Sequence, residues 1–152
     1  MAVLYYAGVE NVYYLNGGFD KWVDEKLPVQ NSDFALKSSH FVIKRNNPFV
    51  FVNEDFVRWA VNNENQVQFV DARMYKEYTG QVSDENFGVA KLGHIKGAKD
   101  VFVGEYMQKS DNYYILKPKD QIEALLEKNG IDPNKPMISY CHIGYWVVVC
   151  GL

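Results

Sequence analysis

Cys141 is followed by His142, Ile143, Gly144, Tyr145, Trp146 and Val147, and a cysteine in such a corner is a candidate nucleophile. Met137 to Tyr140 has the apolar content of a buried strand, Gly144 marks a tight turn, and Val147, Val148 and Val149 resume an apolar run that suits a helix. Where a strand ends and a helix begins, backbone amides curl around the intervening loop, and the helix dipole adds a partial positive charge. Both favour a thiolate, the reactive form, over a thiol. The competing reading is a small apolar residue packed in the core, and that reading is kept for Cys150, which lies inside the apolar run.

Val67 to Asp71 is expected as a strand ending on an acid, and Met74 to Gly80 as a short helix with a glycine stop. Before them, Asn53 is expected to cap a helix bearing Phe56, Val57, Trp59, Ala60 and Val61. After them, residues 83–92 suggest a loop, Gly93 to Ala98 a glycine-bracketed turn and Asp100 to Val103 a strand. Pro118 opens a helix with Ile122, Leu125 and Leu126 on one face and Gly130 past its end. Nearer the start, Val12 to Leu15 is expected as a buried strand, Phe19 to Val23 as a short helix, and Phe41 to Ile43 as an edge strand. Strands alternating with helices through short turns predict an α/β fold whose parallel sheet has helices on both faces.

At 152 residues the chain has room for one α/β domain. Its net charge of -3 supplies no field for nucleic acid, and no Lys/Arg cluster lies beside aromatic residues, so no nucleic-acid partner is expected. No apolar stretch approaches the roughly 18 to 20 residues that span a bilayer, and the first residues lack a signal peptide's charged n-region and cleavage site. The expectation is no membrane partner and a cytoplasmic location. Two cysteines cannot make a disulfide framework, and nine residues of helix would place them about 180° apart. His40, His94 and His142 have no ligand spacing with the cysteines or each other, so no metal is expected.

Three stretches in order, Phe69-Val70-Asp71-Ala72-Arg73 with Glu77-Tyr78, then Gly93-His94-Ile95-Lys96-Gly97-Ala98, then Tyr140-Cys141-His142-Ile143-Gly144-Tyr145-Trp146, resemble a rhodanese (sulfurtransferase) domain. The resemblance implies a rhodanese-like parallel sheet flanked by helices and a two-step sulfur transfer. Cys141 would take a sulfane sulfur from thiosulfate, a persulfide or a polysulfide and pass it to cyanide or a thiol, with no metal or organic cofactor. Residues 142–147 would form the substrate-binding loop around the persulfide. Asp71 would accept hydrogen bonds from loop backbone, Arg73 and Glu77 would pair on one helix or at the surface, and His94 would stabilise its turn. Thiosulfate-using members often carry an arginine directly after the cysteine, where this chain has His142. That departure points away from thiosulfate toward a polysulfide, persulfide or thiol substrate, or to a rhodanese-like binding or regulatory module with little turnover. The related phosphatases need an arginine after the loop, and none follows Cys141.

Residues 8–22 resemble the part of a rhodanese that follows the active-site helix, so the pieces occur in an unusual order. The expected organisation is a segment at 1–29 resembling the C-terminal part of a rhodanese domain, including the strand at 11–15 and a short helix. A connector at 30–48 follows, then a catalytic domain at 49–152. Two histories fit: a permuted rhodanese, or the end of one domain joined to the front of a second, as in tandem sulfurtransferases. In either case residues 2–22 are expected to dock on the sheet, within the chain or by exchange in a homodimer, because a sheet lacking its middle strand would expose unpaired edges.

Overall fold

The computed structural model describes residues 2–33, 35, 37–38, 40–43, 47–83 and 91–144. Contacts divide the chain into two compact units, residues 1–52 with 109–115, and residues 53–108 with 116–152.

The second unit is built on β1 (Gln68–Asp71), with β2 (Ala98–Asp100) on one side and β5 (Met137–Tyr140) on the other, all parallel. Asp71 aligns with both Asp100 and Tyr140, so three strand C-termini end at one level. The ladder continues past the strands, where the Ala72 N–H donates to the Tyr140 carbonyl at 3.0 Å and the Val101 N–H to the Asp71 carbonyl at 3.0 Å. Period-two alternation gives the sheet two apolar faces. Val70 packs with Val101, Tyr106, Leu126 and Ile131, which places α5 (Lys119–Lys128) on one face. Phe69 packs with Ala60, Val67 and Ala98, placing α3 (Glu54–Val61) on the other. The expected helix-covered parallel sheet is therefore present.

Local signals explain most of these boundaries. The Asn53 side chain accepts from the Phe56 N–H at 3.0 Å, capping α3. Pro118 directly precedes α5, and Gly130 follows it at φ 70. The short α4 (Tyr75–Tyr78) lies in the connection from β1 to β2.

The first unit contains α1 (Ala2–Tyr6) and α2 (Gly18–Asp24), with Gly17 entering α2 at φ 95. Tyr6 and Phe51 meet edge to face at 5.4 Å, and the Trp22 indole N–H donates to the Pro28 carbonyl at 2.8 Å. No residue of α1 is buried, and Tyr13 and Phe19 are 85% and 66% exposed.

Three expectations need correction, and one element was not foreseen. Residues 11–15 form no strand: four apolar residues cannot hold an extended ladder alone. Phe41 to Ile43 likewise form no strand and are exposed. The strand expected at 100–103 ends at Asp100, and Val103–Tyr106 is a tight 3-10 turn. A hairpin of β3 (Met107–Ser110) and β4 (Tyr113–Leu116), turning at Asp111 with φ 42, was not foreseen because Asp111-Asn112 lacks the usual glycine. The helix expected after Gly144, and most of the loop expected at 83–92, lie outside the described residues.

Candidate active site

β5 delivers Cys141 to the level where all three parallel strands end, the position at which open α/β sheets place their sites. The chain then turns through Gly144 at φ 81, a left-handed conformation that favours glycine. This turn aims the Gly144 N–H at the Cys141 sulfur, 2.9 Å away. The donor sits where negative charge would collect on a thiolate or persulfide. Cys141 is a half-buried free thiol, and Ile143 is 57% exposed at the rim. Tyr145, Trp146, Val147 and Cys150 lie outside the described residues, so of the expected amide cradle only the Gly144 N–H is described.

The flanking charges are arranged in two pairs. Asp71, wholly buried at the end of β1, takes Arg73 in a two-pronged contact, Nε to Oδ1 at 2.9 Å and Nη2 to Oδ2 at 2.7 Å. It also accepts the Arg73 backbone N–H at 3.0 Å. The hydrogen bond to Asp71 holds the guanidinium above its ordinary pKa. The same Arg73 Nη2 donates to the Gly93 carbonyl at 2.7 Å, tying the 93–97 turn to β1.

The second pair joins His142 Nε2 to Glu77 Oε1, both largely shielded. Glu77 Oε2 also accepts the Met74 N–H at 3.2 Å, fixing its carboxylate at the entrance of α4. The expected Arg73–Glu77 pair therefore does not form. Arg73 precedes α4, so helical i,i+4 geometry does not apply, and neither residue lies on the open surface. The His94 Nδ1 is 2.7 Å from the Tyr78 carbonyl, and its ring stacks on the Tyr78 ring at 3.8 Å.

Sequence reasoning missed two residues. The Tyr140 hydroxyl accepts the Ile95 N–H at 3.1 Å, and the Arg73 guanidinium lies 5.7 Å from its ring centre. Burial raises the Tyr140 pKa, so it stays a phenol. Asp100, level with Asp71, has its Oδ1 buried without a partner among the described residues, and burial followed by the Asp71 charge raises its carboxyl pKa. Strand register was the available signal, since both residues align with Asp71. Among the described residues no group of three His, Cys, Asp or Glu side chains is arranged to hold a metal, and no helix is long and apolar enough to cross a membrane.

With this geometry in hand, comparison with known families shows that the rhodanese-like domain matches residues 36–147, most of the chain. The chain belongs to the rhodanese-like domain family. Among rhodanese relatives, 3-mercaptopyruvate sulfurtransferase from Mus musculus is 25% identical over 95% of the chain and 49% of its own length. Thiosulfate sulfurtransferase from Bos taurus is 26% identical over 95% of the chain and 49% of its own length. The chain thus spans about half the length of these relatives. A solved structure of an EanB variant, carrying a cysteine persulfide in a tetrahedral intermediate state with ergothioneine, superposes with a TM-score of 0.76. It is 28% identical, covering 97% of this chain and 36% of that one. The rhodanese fold inferred from the three sequence stretches is therefore the fold of this protein.

Proposed function

We propose that this protein is a sulfurtransferase in which Cys141 accepts a sulfane sulfur from thiosulfate or a persulfide or polysulfide donor, and hands it to a thiol or cyanide. The observation that carries the reading is the Gly144 N–H held 2.9 Å from the Cys141 sulfur. A donor in that position favours the thiolate before transfer and the terminal sulfur's charge after it. Support comes from the sulfurtransferase relatives and from the persulfide carried by the similar EanB variant. The reaction needs no cofactor in this reading, because the covalent intermediate is built on the protein's own sulfur.

The supporting residues have distinct work. Asp71 and Arg73 brace the strand ends and the 93–97 turn, Glu77 holds His142, and His94 fixes its turn. Residues 142–147 are assigned as the donor-binding loop, whose sequence carries the aromatic and apolar residues Tyr145, Trp146 and Val147. A reducing compartment, the cytoplasm, suits catalysis by a free thiol. We further propose that residues 2–22 complete the sheet by exchange in a homodimer, residues 11–15 pairing along the open edge of β5 in a second copy.

Intact mass after incubation with thiosulfate, and separately with polysulfide, tests the activity. The expected result is the gain of one sulfur atom, discharged by cyanide and absent in Cys141→Ser. A folded protein that takes sulfur from neither donor would leave a rhodanese-like binding module as the better description.

A further inference from the structure

Tyr140 is the last residue of β5 and is joined by a peptide bond to Cys141. Among the described residues β5 has a strand on one side only, β1, where the Tyr140 carbonyl accepts the Ala72 N–H at 3.0 Å. A strand end held by a single ladder frays readily, so any further hold on Tyr140 governs where the next residue sits. The side chain supplies that hold. Its ring packs against the core cluster of Ala60, Val67, Phe69 and Ala98, with the Arg73 guanidinium 5.7 Å from the ring centre. Its hydroxyl accepts the Ile95 N–H at 3.1 Å. Burial keeps that hydroxyl protonated, and a hydrogen bond to the Asp71 carboxylate works in the same direction. The turn that carries Ile95 is itself anchored. Arg73 Nη2 donates to the Gly93 carbonyl at 2.7 Å, and the Ile95 carbonyl accepts the Ala98 N–H at 2.9 Å. The ring alone would serve the core; the turn is what uses the hydroxyl.

We propose that Tyr140 is a positioning residue for Cys141: its hydroxyl pins the end of β5 to the 93–97 turn, and so fixes the place from which the sulfur meets the Gly144 N–H 2.9 Å away. The effect runs through the main chain. With Tyr140 held by the ladder on one side and by the turn at its hydroxyl, Cys141 starts from a fixed Cα, and the short loop to Gly144 closes on the sulfur in one geometry. Without the hydroxyl, the Ile95 N–H loses its partner in a shielded place, and the turn and the strand end must part for water to replace it. A displacement of about 1 Å at a reacting atom can cost about a hundredfold in rate. The effect on sulfur loading rests on the sulfur-transfer reading; the tether and its grip on the sulfur's hydrogen bond do not.

Tyr140→Phe keeps the ring and removes the tether. Amide hydrogen exchange, followed residue by residue by NMR, is expected to quicken about tenfold at Ile95 and at Gly144 in this variant, while Leu126 in α5 exchanges as in the wild type. Ile131→Val, which trims the core on the other face of the sheet, should leave the Ile95 and Gly144 amides unchanged. Sulfur loading from thiosulfate or polysulfide, followed by intact mass, should fall about tenfold in limiting rate at saturating donor, with the half-saturating concentration kept within about twofold, because Tyr140 holds the nucleophile and not the donor. A Gly144 amide that keeps its wild-type exchange in a folded Tyr140→Phe, or quickens equally in Ile131→Val, would overturn the assignment. So would an unchanged loading rate, or one lost only through weaker donor binding. If Tyr140→Phe does not fold, the wild type decides: a protected Ile95 amide supports the tether, and one exchanging as freely as an exposed loop amide removes it. The expected exchange in a wild type that loads from neither donor ends the sulfur-transfer reading alone and leaves the tether in place.

Discussion

Asp71 has no exposed surface, and a carboxylate so placed is tolerated only with its charge and lone pairs met. Arg73 meets them through a planar fork that lysine could not reproduce, while its Nη2 also satisfies the Gly93 carbonyl. Removing the guanidinium strands a buried charge, so Arg73→Ala is expected to lower unfolding free energy by about 3 to 5 kcal/mol. Urea denaturation followed by circular dichroism checks this, and a loss below about 1 kcal/mol would mean that water reaches Asp71 and replaces the pair. At this scale the sequence was informative about identity and poor about partners. The stretch from Asp71 to Glu77 singled out three charged residues, but Arg73 and Glu77 sit four apart without sharing a helix. Only the position of α4, beginning at Tyr75, shows that each turns to a different partner. Tyr140 went unnoticed because an aromatic residue in an apolar strand looks like core, and its hydroxyl contact with Ile95 spans the fold.

At the scale of elements, the three parallel strands bring Asp100 level with Asp71, two acids side by side at one sheet end. Burial is the larger cause of the raised Asp100 pKa, and Asp71 adds to it. A carboxyl raised in the folded state favours folding while protonated in both states, below about pH 4. That contribution is lost as pH rises through the folded value. Asp100→Asn should therefore raise the thermal midpoint relative to wild type at pH 7, with the gain disappearing near pH 4 and below. Thermal unfolding of both proteins at the two pH values measures it, and an equal gain at both would place the effect in packing instead of charge. Punctuated elements were the legible ones: Asn53 before α3, Pro118 before α5 and Gly130 after it mark their helices in the sequence. Residues 11–15 were misread for the opposite reason. Their apolar run looks like a strand, but a strand is defined by a neighbour, and the sequence does not name one.

For the whole molecule, the family and the helix-covered sheet were legible because three separated stretches kept their order, whereas the arrangement of the first fifty residues was not. Their apolar side chains remain exposed, with Tyr13, Leu15 and Phe19 at 85%, 56% and 66%. Exposed apolar runs of this kind call for a covering surface. Sedimentation velocity over a hundredfold concentration range should show a monomer giving way to a dimer, and Leu15→Asp should shift the balance toward monomer; a single species at all concentrations would remove the exchange proposal. The register of β1 carries one more consequence. It joins β2 across about thirty residues and β5 across about seventy, and the longer closure costs roughly 0.7 kcal/mol more in chain entropy. Cys141 therefore rides on the strand whose pairing with β1 carries the larger closure cost, and β5 is expected to be the later of the two neighbours to join the sheet. A chain in which β5 has yet to pair can hold the Asp71–Arg73 contact, which closes over two residues, but does not bring Cys141 level with it.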